Sequence, residues 1–195
     1  MIFAAPYAGS KIKVDLPGQK CYAVLLEQTN RKRRNQLMIR AFIPKDLTPI
    51  MDIWLDANIQ AHDFISADYW KNHFEQVKEC LPAAELYVYE DMFSSPCGFL
   101  GMSRDYIAGI FVRTDVRSKG IGKQLLDHVK SLWDALSLHV YQKNEAAVRF
   151  YLREDFVIQS KAADTDTGET EYLMTWRKHS EKSMPGPGRE TDKDG

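Results

Sequence analysis

Two glycines one residue apart, Gly120 and Gly122, lie among basic side chains near the middle of the chain, with Arg117, Lys119 and Lys123 around them. An apolar run rich in β-branched and aromatic residues precedes this turn, and apolar residues at helical spacing follow it. The turn is therefore predicted to join a strand to a helix N-terminus. The first amides of a helix lack an intrahelical acceptor, its dipole favours negative charge, and glycine lets the backbone approach closely. The sequence predicts a phosphate site here.

The spacing of the glycines limits which phosphate compound fits the turn. A P-loop has four residues between its glycines, and the dinucleotide-binding motif has a third glycine at the position of Leu125, so neither motif is present. What is present is Arg-x-x-Gly-x-Gly over residues 117–122. Taken alone, six residues are equally typical of an ordinary glycine turn with a solvated basic face.

A second motif, Asn-x-x-Ala-x-x-Phe-Tyr from Asn144 to Tyr151, follows at a spacing that leaves room for one helix and one strand. The two motifs in this order resemble the GNAT superfamily of N-acetyltransferases, and in particular its small bacterial single-domain members of the YiaC and YjaB type. The resemblance covers about residues 38 to 177. It implies acetyl-CoA as co-substrate, with Asn144 at the pantetheine arm and Tyr151 at the sulfur. The cofactor-binding residues are expected to be Ile110, Phe111, Val112, Arg117, Ser118, Lys119, Gly120, Ile121, Gly122, Lys123 and Asn144.

One position departs from the family pattern. Asp155-Phe156 stands where these proteins usually have Gly-Phe after the last helix. That glycine adopts a left-handed helix cap, and aspartate tolerates the conformation better than most residues. We expect the cap to be kept at a small cost in stability.

Acetyl transfer to an amine requires a polarised carbonyl and a proton for the departing thiolate. The resemblance implies that a backbone amide near Phe111 or Val112 polarises the carbonyl, on a central strand splayed from its neighbour, where Gly109 is consistent with a bulge or with simple packing. Tyr151 is the candidate acid. With a phenol pKa near 10 and a thiol pKa near 8.5, full proton transfer is uphill by about 2 kcal/mol. The alternative is that Phe150 and Tyr151 only pack the helix onto the sheet.

The general base is not evident from the sequence. Asp105 precedes the central strand and is also typical of a turn, whereas His62 lies in a connector that borders the acceptor pocket in family members and also fits a structural role. A lysine amine costs roughly 4.6 kcal/mol to deprotonate at pH 7, and an α-amine only about 1 kcal/mol. Phe64, Trp70 and Tyr106 are candidates for the acceptor pocket, although aromatic residues at such positions are usually core.

The elements that must position these residues can be read from residue 38 onward. The predicted order is β-α-α-β-β-β-α-β-α-β-β, an α/β mixed, mostly antiparallel sheet with helices on both faces, which matches the GNAT arrangement. Asp46 and Ser66 are the expected N-caps of the first two helices. The apolar stripe of the third helix extends to Leu136. We expect residues 1–37 to be an extension of uncertain role, 38–178 the GNAT domain and 179–195 a disordered tail.

Bulk composition sets limits on function. The chain has 195 residues, 44% of them apolar, and a net charge of −1, so it can form one substantial core and gives no support to nucleic-acid or membrane binding. The basic run over 31–34 fits a solvated linker better than an anion-binding patch. Three cysteines without metal spacing, and no secretion signal or membrane span, indicate a cytoplasmic protein without a metal site. It is expected to be a monomer or a homodimer.

The sequence thus predicts an acetyl-CoA-dependent N-acetyltransferase that moves an acetyl group to a primary amine by direct attack, with Tyr151 as general acid. The resemblance favours a protein lysine as acceptor, and small amines and N-terminal amines remain open. Two alternatives are a toxin that acetylates aminoacyl-tRNA and a non-catalytic coenzyme A sensor. The first would have a basic acceptor face, and the second would have lost the residues of catalysis.

Overall fold

A seven-stranded sheet organises residues 38–178, the part of the chain that the computed structural model describes. The expectations for residues 1–37, including the basic run, and for residues 179–195 lie outside it. The strands are β1 (Ile39–Ala41), β2 (Glu85–Glu90), β3 (Pro96–Ser103), β4 (Tyr106–Val112), β5 (Ala135–Tyr141), β6 (Val157–Ala163) and β7 (Thr170–Arg177).

Four helices complete the predicted order of elements. They are α1 (Leu47–Ala61), α2 (Ala67–Cys80), α3 (Ile121–Leu132) and α4 (Glu145–Arg153). The predicted extent of the third helical stripe was wrong, because α3 ends at Leu132 and Trp133 is already extended, with φ −125° and ψ 145°. Leu136 is instead a buried residue of β5. Among the described residues, no helix is both long and apolar enough to cross a bilayer.

The strand order is β1-β2-β3-β4-β5-β7-β6. All neighbours are antiparallel except β4 and β5, which run parallel and pair only at Tyr106 and Ser137. Beyond that pair the two central strands diverge, so the predicted splay is confirmed. The mixed, mostly antiparallel sheet is confirmed as well.

Both faces of the sheet are covered, as alternation along the strands requires. On one face, Leu86, Val88 and Phe99 pack against α1 and α2. On the other face, Leu100 and Met102 pack against α3 and α4. The divergence between β4 and β5 therefore opens between helices on both sides, and this gap is where the candidate site lies.

A β-bulge shapes the strand that borders the gap. Gly101 pairs with Gly109 but Met102 pairs with Ile107, so Ala108 is an extra residue on β4, one position from the bulge expected at Gly109. A bulge bends its strand and increases the local twist, which helps β4 to turn away from β5.

The helix caps agree only in part with the expectations. Ser66 caps α2 as predicted, since its hydroxyl accepts a hydrogen bond from the Asp68 amide at 3.3 Å. Asp155 has φ 63°, which confirms the left-handed cap after α4. Asp46 precedes α1 but makes no capping bond there, because its carboxylate binds Arg40 at 2.6 Å and the Ile43 amide at 2.9 Å.

Candidate active site

The glycine turn between β4 and α3 presents free backbone amides. Ser118 and Gly120 both have positive φ, 60° and 82°, and Gly120 is the N-cap of α3. Within the described residues, the amides of residues 118–123 make no hydrogen bond to a backbone carbonyl. Because these amides lie in the turn before α3 and in the first turn of that helix, their partial positive charge adds to that of the helix dipole. The backbone alone can therefore bind an anion here.

Arg117 holds this turn in place and also contributes positive charge to it. Its Nε donates to the Val112 carbonyl at 3.2 Å and its Nη1 to Gln60 Oε1 at 3.1 Å. These two bonds hold the turn against the end of β4 and against α1. The Nη2 group has no partner among the described residues, so one edge of the guanidinium remains able to bind an anion.

The two lysines of the motif are engaged elsewhere. Lys119 donates to the Asp115 carbonyl at 3.3 Å. Lys123 binds Asp127 at 2.9 Å and Glu154 at 2.8 Å; burial opposes the charge of Lys123, but the two carboxylates raise the pKa of its ammonium overall. Lys123 therefore carries a full charge that is already matched by two acids, which leaves the amides and Arg117 as the main anion-binding groups.

A cleft of about 690 Å³ opens along this turn, and we call it the loop cleft. It contains all of the predicted cofactor-binding residues except Lys119. Its lining consists of Ala57, Asn58, Ala61, His62, Ile110, Phe111, Val112, Arg117, Ser118, Gly120, Ile121, Gly122, Lys123, Asn144, Ala146, Ala147, Phe150, Tyr151, Arg153 and Glu154.

The splayed edge of β4 supplies polar backbone groups to the loop cleft. The Arg113 amide bonds to the Cys97 carbonyl on β3 at 2.8 Å. Since backbone groups alternate along a strand, the amides of Ile110 and Val112 face the opposite way, toward the gap. The Val112 carbonyl on that side is the one that Arg117 holds. Ile110 and Val112 thus offer the unpaired amides that were expected near Phe111 or Val112.

Asn144 links the two sides of the gap. As N-cap of α4, its Oδ1 accepts from the Ala147 amide at 3.2 Å, while its Nδ2 lies 3.2 Å from Nε2 of His62 at the end of α1. With the amide in this orientation, Nδ2 donates to Nε2, and the remaining proton of a neutral imidazole is on Nδ1. The structure therefore brings together two predicted site residues that are 82 positions apart in sequence.

His62 is held as a neutral ring inside an aromatic cluster. It stacks on Trp70 with ring centroids 5.1 Å apart and meets Phe64 and Tyr141 edge to face. Burial lowers the pKa of His62, and the nearby Asn58 carbonyl offsets this only in part. Its Nδ1 is buried with no hydrogen-bond partner. Because both nitrogens are occupied or enclosed, the ring is poorly placed to collect a proton from a substrate.

Tyr151 lies at the bottom of the gap with only 8% of its surface exposed. Its ring packs against Phe150 and Phe156. No described residue forms a hydrogen bond with its hydroxyl, and Tyr151 lines the loop cleft. Burial, and to a lesser degree nearby Tyr106, raise the pKa of Tyr151 above its usual value. The phenol therefore stays protonated and is free to donate to a bound molecule.

A second cleft, of about 290 Å³, lies on the other side of Tyr151, and we call it the aromatic cleft. It contains the predicted acceptor residues Trp70 and Tyr106. Phe64 lines neither cleft. Its ring instead contacts the His62 ring edge to face. The lining consists of Trp54, Asn58, His62, Trp70, Tyr106, Ala108, Gly109, Ile110, Phe111, His139, Val140, Tyr141, Asn144, Ala147, Tyr151 and Glu171.

Asp105 is not brought to either cleft. It is an exposed residue of the β3–β4 turn, after Arg104 with φ 56°, and its carbonyl accepts from the Ser137 amide at 2.9 Å. This bond helps to form the single pairing between β4 and β5. The structure thus places Asp105 where it can fix the splay but where its carboxylate does not face the gap.

Sequence reasoning missed part of the aromatic cleft. Trp54 reaches it from α1, His139 and Tyr141 from β5, and Glu171 from β7. Strand periodicity puts His139 and Tyr141 on one face. However, only the register of the β5–β7 pairing, in which Tyr141 pairs with Glu171, brings the carboxylate beside them.

The two clefts meet at the centre of the gap and differ in charge. Seven residues line both: Asn58, His62, Ile110, Phe111, Asn144, Ala147 and Tyr151. The loop cleft has three cationic side chains on its walls, Arg117, Lys123 and Arg153, against one acid, Glu154. The one formally charged side chain lining the aromatic cleft is Glu171. An anionic molecule in the loop cleft and a cationic one in the aromatic cleft would meet beside the Tyr151 hydroxyl.

The sequence is similar to that of known acetyltransferases. Residues 82–158 match the family described as acetyltransferase (GNAT) domain. The peptidyl-lysine N-acetyltransferase YiaC of Escherichia coli is 33% identical over 141 residues, which is 71% of this chain and 96% of the relative. The peptidyl-lysine N-acetyltransferase YjaB of the same organism is 32% identical over 125 residues, which is 64% of this chain and 85% of YjaB.

Solved structures agree with the sequence comparison. The solution structure of apo-form YjaB from Escherichia coli superposes with a TM-score of 0.65 at 28% identity, covering 70% of this chain and 95% of YjaB. A GNAT-family acetyltransferase structure from Bacillus cereus shares the fold alone, with a TM-score of 0.56 at 16% identity over 73% of this chain and 97% of that one.

Proposed function

The chain belongs to the GNAT family of acetyl-CoA-dependent N-acetyltransferases, and we propose that its acceptor is the side-chain amine of a protein lysine. Two relatives above 30% identity are named peptidyl-lysine N-acetyltransferases. The observation that carries the proposal is the meeting of a basic cleft and an acidic, aromatic cleft at Tyr151.

Acetyl-CoA would occupy the loop cleft. Its pyrophosphate would accept hydrogen bonds from the free amides of residues 118–123 and from the open edge of the Arg117 guanidinium. The helix N-terminus favours an anion at this place. The pantetheine arm would run along the splayed edge of β4 and pass Asn144. There the thioester carbonyl would accept a hydrogen bond from the Ile110 or Val112 amide, which stabilises the oxyanion that forms on attack.

The aromatic cleft suits one extended cationic side chain. Trp54, Trp70 and Tyr106 offer ring faces and edges to an alkyl chain and to its ammonium, and Glu171 supplies the charge. A volume of about 290 Å³ is slightly below the roughly 300–1,000 Å³ usual for small-molecule sites. A lysine side chain presented by a protein surface fits this space better than an aminoglycoside or another large free amine does.

The reaction is then a direct transfer. The neutral lysine nitrogen attacks the carbonyl carbon, the new C–N bond forms, and the C–S bond breaks to release coenzyme A thiolate. The attacking nitrogen loses its second proton to that thiolate or to water, which leaves the amide and coenzyme A. Tyr151 would donate a hydrogen bond, or its proton, to that sulfur. Because the pKa of Tyr151 is raised, full proton transfer is uphill by more than the 2 kcal/mol or so of an unperturbed phenol, and hydrogen-bond donation accounts for most of the stabilisation.

An acceptor screen tests the proposal. The full-length protein is incubated with acetyl-CoA and peptides that contain one lysine and a blocked N-terminus, with matched peptides in which norleucine replaces the lysine. Spermidine, an aminoglycoside and a peptide with a free N-terminus are included as other amines. Fragment mass spectra should place one acetyl group on Nε of lysine. Turnover of a small amine or an α-amine without lysine turnover would contradict the proposal.

A further inference from the structure

A lysine acceptor requires a route for its proton, and neither Asp105 nor His62 supplies one. At pH 7 only about one lysine in 2,500 is uncharged. Asp105 lies outside both clefts, and the His62 nitrogens are bound to Asn144 or enclosed. The aromatic cleft, however, has another group of titratable residues that the family motifs do not include.

Tyr106, His139 and Glu171 form a chain from the cleft toward the solvent. The Tyr106 hydroxyl lies 3.1 Å from Nδ1 of His139. Nε2 of the same imidazole lies 3.9 Å from the Glu171 carboxylate. The His139 side chain is 39% exposed and the Glu171 side chain 21%. All three residues line the aromatic cleft, and they come from β4, β5 and β7.

The geometry points to a proton relay in which Tyr106 takes a proton from the acceptor ammonium and passes its own to His139, while Glu171 stabilises the imidazolium. The carboxylate beside Nε2 favours the tautomer with hydrogen on Nε2, so that Nδ1 is the acceptor for the Tyr106 hydroxyl. We call these three residues the Tyr106 relay. Tyr106 touches the substrate, and His139 and Glu171 act through it as positioning residues.

The atoms balance over the complete step. One N–H bond of the ammonium breaks as a new O–H bond forms on Tyr106, and the former O–H proton of Tyr106 becomes the N–H proton of Nδ1. The neutral amine then attacks the thioester. Exposed His139 returns its proton to water after turnover, so the relay needs no further reactant.

The surroundings of Tyr106 agree with a concerted transfer. Burial raises the pKa of Tyr106, which disfavours a free phenolate and favours a transfer in which one proton leaves as another arrives. The other titratable groups that line the same cleft are Tyr151 on α4, His62 at the end of α1 and Tyr141 on β5. None of them is an acid that would compete with Glu171 for the imidazolium.

The relay rests on the proposed function in one respect, since it assumes an acceptor that is protonated at neutral pH. The test is the pH dependence of kcat/KM for the full-length protein with a single-lysine peptide. His139→Gln keeps a polar side chain but cannot be protonated. We expect kcat/KM at pH 7 to fall by about 10²-fold, and the deficit to shrink by up to about tenfold per pH unit toward pH 10, because free lysine becomes neutral without help.

Three further variants define the result. Tyr106→Phe should reproduce the pH-dependent deficit in kcat/KM, and Glu171→Gln should show a smaller deficit. The double variant Tyr106→Phe/His139→Gln should lose little more kcat/KM than His139→Gln alone. The control is His128→Gln on α3, which packs against Tyr87 and lines neither cleft. It should leave the profile unchanged. For His139→Gly, added imidazole should restore part of the activity.

The outcomes separate the two proposals. If His139→Gln lowers kcat/KM by the same factor at every pH, or does not lower it, the relay is wrong. His139 then has a structural role or no role in turnover. If lysine peptides are not acetylated but another amine is, the proposed acceptor is wrong. The pH dependence of kcat/KM for the wild type and His139→Gln, measured with that amine, then shows whether the relay operates.

Discussion

Replacing Tyr151 with phenylalanine removes one oxygen atom from the point where the two clefts meet. In the free protein that oxygen makes no hydrogen bond with a described residue, and the ring, with 8% of its surface exposed, keeps its contacts with Phe150 and Phe156. We therefore expect the free energy of unfolding to change by no more than about 0.5 kcal/mol. The affinity for acetyl-CoA should also change little, because a thioester sulfur is a weak hydrogen-bond acceptor.

The effect on turnover should be much larger. Loss of a positioned donor to the thiolate lowers kcat by about 10²- to 10⁴-fold, or roughly 2.7–5.4 kcal/mol of transition-state stabilisation. Because the folded-state pKa of Tyr151 is raised, the active, protonated phenol persists as pH increases. The wild type should therefore show no loss of kcat from this group up to about pH 10.

The assays are release of the coenzyme A thiol, calorimetric Kd for acetyl-CoA and thermal denaturation. The matched control is Tyr89→Phe, since Tyr89 is also 8% exposed and lines neither cleft; it should retain its kcat. If Kd rises as much as kcat falls, Tyr151 is a binding residue. If the melting temperature falls while kcat per folded molecule is kept, Tyr151 only packs α4, and the reasoning is refuted.

The remaining predictions concern the backbone and caps around the site. Gly120→Ala and Gly168→Ala both place alanine in a left-handed backbone conformation, at φ 82° and 71°. Each should lower the free energy of unfolding by about 1–2 kcal/mol. Only Gly120→Ala should also raise the calorimetric Kd for acetyl-CoA. Asn144→Ala should lower the melting temperature by about 2–4 °C through loss of a cap near 1 kcal/mol, whereas Asn144→Asp should keep the cap and lose only the donor to His62. Asp155→Gly should raise the melting temperature by up to about 2–4 °C, because glycine adopts φ 63° without strain. An unchanged Kd in the first case, or an unchanged melting temperature in the other two, would contradict these assignments.

The loop cleft could be predicted because its information is local. Strand, turn and helix N-terminus follow one another between Tyr106 and Leu132, and a continuous segment brings its own residues together without any long-range register. The same is true of the segment from Asn144 to Tyr151, which is the cap and most of α4. The family pattern then placed the two segments on either side of one gap.

Trp70 and Tyr106 of the aromatic cleft were predicted, but the rest of its lining could not be, because its walls are nonlocal. Glu171 reaches His139 only through the register of the β5–β7 pairing, and His62 reaches Asn144 across 82 positions. Periodicity assigns a residue to a face but does not choose its neighbour. The error at Leu136 has a similar origin, because an apolar strand residue happened to continue the spacing of the preceding helix.

A crystal structure with coenzyme A and a lysine peptide tests the central claim most directly. The account predicts the pyrophosphate on the amides of residues 118–123, the sulfur within hydrogen-bond distance of the Tyr151 hydroxyl, and the lysine amine in the aromatic cleft beside Tyr106. A sulfur directed away from Tyr151, or a lysine that enters without crossing the aromatic cleft, would contradict it.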